Sequence, residues 1–149
     1  MGDLVQTGSL WVIRPEKPED WSFIRAAWTE SYRRSRHAGC IPAQHWRQVM
    51  DLTLEHLKAS GLAVLLAVDP EDPDHLLGFL AHTGNVVHYA YVKEPLRRNG
   101  ICRALLSHIG LHRGESITYT FHTNCSTYFH KRRHMPQIAR NGRDGRKED

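Results

Sequence analysis

An α+β domain built on one mixed, mostly antiparallel sheet is the fold class that the sequence predicts, and three patterns predict it. Strand-like segments at 62–69, 76–83 and 86–93 follow one another with only short turns between them, so they pair as hairpins instead of alternating with helices. A single strand–loop–helix–strand run from 86 to 123 supplies one crossover. Apolar residues at helical spacing before residue 60 place helices against the sheet.

Each element has its own signal. LWVIR (10–14) reads as a short strand that Pro15 and Pro18 end. Glu19 and Asp20 suit the positive end of a helix over 19–32, whose Trp21, Ile24, Trp28 and Tyr32 recur on one face. After the polar loop SRHAGCIP (35–42), the residues Trp46, Val49, Met50, Thr53 and Leu57 define a second helix, and Gly61 suits its C-terminal cap. LAVLLAVD (62–69) is continuously apolar, the mark of a strand buried on both faces. PEDPDH (70–75) is a connector, LLGFLAHT (76–83) the returning strand, and Gly84-Asn85 a tight turn into VVHYAYVK (86–93). A third helix runs from about 100 to 112, a strand with alternating Ile117, Tyr119 and Phe121 covers 116–123, and TYFHKRRH (127–134) reads as a short last helix. The expected order is β-α-α-β-β-β-α-β-α, one domain over 1–136 with a basic polar tail over 137–149.

A chain of 149 residues suits one domain with a real core, and 40% hydrophobic with 24% charged residues is ordinary for a globular protein. No apolar run approaches the roughly 20 residues that span a bilayer, and the start lacks a charged-then-apolar leader pattern. Cys40, Cys102 and Cys125 are too widely spaced for a CxxC pair or a disulfide framework, which points to a reducing cytoplasm. The net charge of +4 is localised. From Lys131 onward there are seven basic and three acidic residues, so the preceding 130 sum to zero. This segment is either a solvated tail or a contact to nucleic acid or another polyanion.

The most informative stretch is YVKEPLRRNGICRALL (91–106). A strand ends, a basic Gly-containing loop follows, and a helix begins. That junction offers backbone N–H groups and the positive end of a helix dipole to a phosphate-bearing ligand. Val92 followed by Arg97-Arg98-Asn99-Gly100-Ile101-Cys102 resembles the central motif of the GNAT superfamily of acyl-CoA-dependent N-acyltransferases, a strand ending in Val and then Q/R-x-x-G-x-G/A. The segment VVHYAYVKEPLRRNGICRALL follows that pattern, and the element order from Leu10 to Arg133 fits the family. Two departures stand out. Cys102 replaces Gly or Ala at the second small position, and the chain is too short and polar after its last helix for the family's C-terminal β-hairpin. The far side of the acceptor site is then open, built by a partner subunit of a homodimer, or covered by the substrate.

The resemblance implies acetyl-CoA, or another acyl-CoA, as donor and an amine as acceptor. Backbone N–H groups from Arg98 to Arg103, across Asn99, Gly100, Ile101 and Cys102, would hold the CoA pyrophosphate, with charge from Arg97 and Arg98. Backbone groups near Tyr91 and Val92 would hold the pantetheine arm, one of them polarising the thioester carbonyl. An alkyl ammonium of ordinary pKa is free base about once in 2,500 at pH 7, a cost of roughly 4.6 kcal/mol, so a base is useful. His88, four residues before Val92, is either that base or a hydrogen-bonded core histidine. His82 is a second candidate. Tyr128 is either the acid that protonates the leaving thiolate or a packing aromatic, and a two-residue slip puts His130 in that position. The pairs His108/His112 and His130/His134 lack the HExxH pattern, so no metal site is expected. Small amines, protein amines and nucleobase or nucleic-acid-linked amines all stay open as acceptors, the basic tail favouring a polyanion. The rival class is a GNAT-shaped binding module without catalysis.

The tail reading has a direct test. A chain ending before Arg140 is expected to lose salt-sensitive nucleic-acid binding in titrations at two ionic strengths, and unchanged affinity assigns the tail to solvent.

Overall fold

A computed structural model describes residues 5–6, 10–34, 42–111, 116–121 and 131–134 of the chain. The elements are β1 (Val5–Gln6), β2 (Val12–Pro15), α1 (Trp21–Arg34), α2 (Ala43–Ala59), β3 (Ala63–Asp69), β4 (Asp72–Thr83), β5 (Val86–Val92), α3 (Ile101–His108), β6 (Ser116–Tyr119) and β7 (Lys131–His134). Short 3-10 turns cover Pro18–Asp20 and Glu94–Leu96. The strands form one seven-stranded sheet in chain order. Pairing is antiparallel from β1 through β5 and parallel for β5–β6 and β6–β7. The α+β class and the mostly antiparallel sheet are therefore as expected.

Helical periodicity explains where the helices lie. Ile24, Trp28 and Tyr32 of α1 and Trp46, Met50, Leu54 and Leu57 of α2 are buried against Val64, Leu66, Phe79 and Tyr89 on one face of the sheet. Ile101, Leu105 and Leu106 of α3 pack on the opposite face, against Ile13, Ala67, Leu80 and Val87. The run at 62–69 is apolar throughout because its side chains enter both cores. Trp28 stacks on Tyr89 at 5.2 Å, and Trp46 donates its indole N–H to the Thr29 carbonyl at 3.1 Å. Trp21 is half-buried beside this core, with the Lys58 ammonium 4.4 Å from its ring centroid. Burying a large apolar side chain stabilises by about 1.5–3 kcal/mol, so these two layers dominate what holds the sheet flat against its helices.

A buried ion pair joins the layers at one end. Arg14 donates to both carboxylate oxygens of Asp20, at 2.7 and 3.0 Å, and to the Pro73 carbonyl at 3.1 and 2.9 Å. The Lys17 N–H also donates to Asp20, at 2.8 Å. Burial alone would raise the Asp20 pKa; the Arg14 guanidinium and the Lys17 amide outweigh it and hold the carboxyl below its ordinary value. One arginine thereby ties β2, the start of α1 and β4.

Several expectations are corrected. β4 starts at Asp72, four residues earlier than the apolar pattern indicates, because Asp69 pairs with Asp72 and extends the hairpin. α3 stops at His108: Gly110 takes φ +82°, and the Leu111 N–H returns to the Leu106 carbonyl at 3.0 Å. The short last helix is not formed at 131–134. Those residues are β7, whose backbone pairs in parallel with the edge of β6 from Ser116↔Lys131 to Tyr119↔His134, a non-local option that local composition does not reveal. The reading of the cysteines as unpaired also fails, because Cys102 is disulfide-bonded. Its partner lies outside the described residues, and spacing in sequence does not measure spacing in the fold. The tail at 137–149 lies outside the described residues too. Among the described residues no helix is long and apolar enough to cross a membrane.

Replacing Asp20 by Ala leaves the Arg14 guanidinium buried without its carboxylate. The expected loss is about 3–5 kcal/mol, read as a lower urea midpoint with an unchanged slope.

Candidate active site

β5 is the strand on which the site is built. Along β4 it is paired from Val86 to Val92. Along β6, among the described residues, it is paired at Val86↔Thr118 and Val87↔Tyr119, with one further bond from the Thr120 N–H to the Val87 carbonyl at 3.1 Å. The last described residue of this edge, Phe121, packs against β5, its ring centroid 6.0 Å from that of Tyr89.

A bulge lies beside the last described β5–β6 pair. Ala81 faces Tyr89 and His82 faces Val87, so His88 is the extra residue of β5. Its effect is visible in the cores. Val87 belongs to the α3 layer, Tyr89 and Tyr91 to the α1–α2 layer, and Ala90 and Val92 again to the α3 layer. An unbroken strand would have kept 87, 89 and 91 on one face.

The register also identifies which backbone groups of β5 point away from β4. The Lys93 N–H donates to the Leu77 carbonyl at 3.0 Å, so by alternation the groups of Tyr91 point toward β4 and those of Ala90 and Val92 point the other way. The expected position near Tyr91 and Val92 shifts to Ala90 and Val92. Arg97 confirms the direction, its Nε–H donating to the Val92 carbonyl at 2.9 Å. Gly78 makes this approach of β4 to β5 feasible. A Cβ there would lie 2.6 Å from the Tyr91 carbonyl oxygen and 3.2 Å from the Val92 Cα, both backbone atoms that cannot turn aside. A glycine inside an apolar strand signals such an approach, and LLGFLAHT carried that signal.

Past Val92 the chain turns through the 3-10 segment and a basic loop. Arg97, Arg98, Asn99 and Gly100 are exposed. Arg98 has φ +68° and Gly100 φ +90°, so two left-handed residues fold the loop back on itself. The amide of Asn99 braces it by donating to the Leu96 carbonyl at 3.1 Å. Within α3, the Ala104 N–H donates to the Gly100 carbonyl at 2.9 Å. The N–H groups of Ile101, Cys102 and Arg103 precede that bond, at the positive end of the helix. Ile101 itself is buried in the α3 layer and anchors the helix start. Cys102, half-exposed at the second small position, is the disulfide-bonded residue.

His88 is buried, and hydroxyl groups meet both of its ring nitrogens. Nδ1 is 2.8 Å from Thr120 Oγ1 and Nε2 is 2.8 Å from Thr83 Oγ1. Burial, with the nearby His82 adding to it, pushes its pKa down to about 4. At neutral pH the ring is an uncharged, hydrogen-bonded histidine. His82 lies half-exposed and joins its Nδ1 to the Gly84 carbonyl at 3.0 Å, a contact within its own turn. Thr83 and Thr120 carry no sequence pattern that would have found them; only folding brings them to one ring. Tyr128 and His130 lie outside the described residues. Among the described residues no group of His, Cys, Asp and Glu is arranged to hold a metal.

No protein-family model and no curated protein sequence matches the chain. Solved structures do. The chain is similar to an acetyl transferase from Pyrococcus furiosus, with a TM-score of 0.54 and 16% identity over 93% of this chain and 96% of that one. It is similar to apo YjaB from Escherichia coli, with a TM-score of 0.50 and 20% identity over 67% of this chain and 64% of that one. A weaker likeness, with a TM-score of 0.46 and 21% identity over 70% of this chain and 56% of that one, is to YhbS from Escherichia coli, a GNAT-family N-acetyltransferase in complex with CoA. The chain thus spans less than two thirds of the length of YjaB and YhbS. Its fold is that of the acetyl transferase from Pyrococcus furiosus and of YjaB.

His88 gives the protein a pH dependence of known sign. Its folded pKa, about 4, lies below the ordinary 6.5, so the unfolded chain takes up the proton first. Stability is expected to be full above pH 6.5 and to fall by about 3 kcal/mol as pH drops toward 4. Urea unfolding at stepped pH checks this, and His88→Gln is expected to remove that slope.

Proposed function

We propose that the protein is an acyl-CoA-dependent N-acyltransferase that moves an acetyl or other acyl group to a primary amine. One observation carries the reading: the backbone groups of Ala90 and Val92 point away from β4, on the strand that runs directly into the basic loop and helix start at 97–103. A donor with a long amide-bearing arm and a diphosphate matches that path. Its diphosphate meets the N–H groups at the start of α3 with Arg97 and Arg98 beside them, and its arm adds to β5 as an extra strand would.

The chemistry needs a thioester carbonyl held against a donor and an amine presented as free base. A backbone N–H of Ala90 or Val92, pointing away from β4, would stabilise charge developing on the carbonyl oxygen. On collapse of the tetrahedral adduct the thiolate takes a proton, and Tyr128 is the acid that the motif order assigns. His82 lies on the neighbouring strand as a candidate to relay the proton of the amine. His88, with both nitrogens engaged, would have to give up a threonine to act as the base, and a different role for it is argued in the next section. The C-terminal excess of basic charge favours a polyanionic acceptor, such as a nucleobase or another nucleic-acid-linked amine. Acyl-CoA as donor assigns the protein to the cytoplasm. The second reading, a binding module of the same fold without catalysis, draws on Cys102, larger than the Gly or Ala of the motif and engaged in a disulfide.

Thermal unfolding with acetyl-CoA separates the two. At 100 times its Kd the ligand is expected to add about 2.7 kcal/mol, which raises the midpoint of a domain this size by about 5–10 °C. Gly100→Val, which puts a branched side chain at a left-handed position in the loop, is expected to abolish that shift. No shift in the parent protein at millimolar acetyl-CoA removes the enzyme reading.

A further inference from the structure

The ring of His88 sits beside the last described pairs of β5 with β6, Val86↔Thr118, Val87↔Tyr119 and the Thr120–Val87 bond. The two hydroxyls that hold the ring come from the strands flanking β5: Thr83 is the last residue of β4, and Thr120 directly follows β6. Hydrogen-bonded strands stand about 4.8 Å apart, so β4 and β6 are two such spacings from each other. The imidazole with a hydroxyl at either end bridges that span. His88 is itself the bulged residue, the one position of β5 that the β4 ladder skips.

We infer that His88 is a positioning residue, a clasp that fixes the bulge and ties the end of β4 to the end of β6 across β5. A bulge loosens the ladder where it occurs and increases local twist. Apolar packing holds β5 on both faces, and the ring adds a directional tie at the bulge itself. A neutral imidazole has one N–H donor and one acceptor nitrogen, so one threonine accepts and the other donates. His88 and Thr120 are both 5% exposed, where an unbonded polar group is costly, so the whole chain of bonds holds or breaks together. What the clasp sets is the position of Ala90 and Val92 along β5. Their use as donor-binding groups rests on the acyltransferase reading; the clasp itself does not.

Isosteric variants decide the matter. Thr83→Val and Thr120→Val keep the volume and remove the hydroxyls. Both are expected to lower kcat with acetyl-CoA by about ten- to a hundredfold, as small misplacements of reacting groups do. The ascending limb of the pH–rate profile is expected to survive in both and in His88→Gln. The double variant of Thr120→Val with His88→Gln is expected to be no worse than either alone. A limb lost only in the His88 variant, with the threonine variants at parent kcat, makes His88 the base and overturns the clasp. A readout independent of activity is amide hydrogen exchange at the Thr120 N–H, which bonds the Val87 carbonyl. Exchange is expected to accelerate at least tenfold in folded Thr83→Val, although that hydroxyl sits on another strand. Unchanged exchange there overturns the proposal. If the parent protein neither binds acetyl-CoA nor acylates an amine, the enzyme reading fails, and exchange still decides the clasp.

Discussion

The register of β5 on β4 is the constraint on which the rest of the molecule depends. That ladder runs from Val86 to Val92 and directs the backbone groups of Tyr91 and Lys93 toward β4 and those of Ala90 and Val92 away from it. A buried backbone group without a partner is costly, and Arg97 meets the Val92 carbonyl by reaching back from the loop. The loop and helix that follow β5 place further N–H groups at the end of the same strand.

Holding a strand in that state requires support from elsewhere. β5 gets it from β4, through a register kept close by Gly78, whose missing side chain lets the Tyr91 carbonyl approach. It gets it from packing on both faces, since the bulge sends Val87 into one core and Tyr89 into the other. The stacked Trp28 and Tyr89 rings fix the α1 side, and Leu105 and Leu106 fix the α3 side. The Arg14–Asp20 pair at the far end of the sheet belongs to the same scheme, because it anchors the strand β4 on which β5 depends. Polar contacts act here at the joints, and apolar burial supplies the bulk of the stability.

Much of this was legible in the residues. Helical periodicity located α1 and α2 because both bury one face, and the continuous run at 62–69 announced a strand between two layers. The order of Val92, the arginines, Gly100 and the helix that follows marked the strand–loop–helix junction that the structure forms. What failed did so for identifiable reasons. The last helix became β7 because an edge strand offered pairing that no local pattern records. Cys102 found a disulfide partner that linear spacing did not suggest. His88 kept two readings in the sequence because its type suits both a base and a core bond, and only its neighbours separate them.

The sequence by itself determined the three helices, the central strands and the strand–loop–helix junction at 91–106, since these depend on local periodicity and on residues adjacent in the chain. The tertiary structure decided the rest. The bulge at His88 shifted the outward-facing backbone groups from Tyr91 to Ala90 and Val92, because a single extra residue reverses the alternation of a strand. Thr83 and Thr120, 37 positions apart, meet one imidazole only once β4, β5 and β6 lie side by side. Contacts between distant residues are set by packing and register, and neither can be read from a chain laid out in a line.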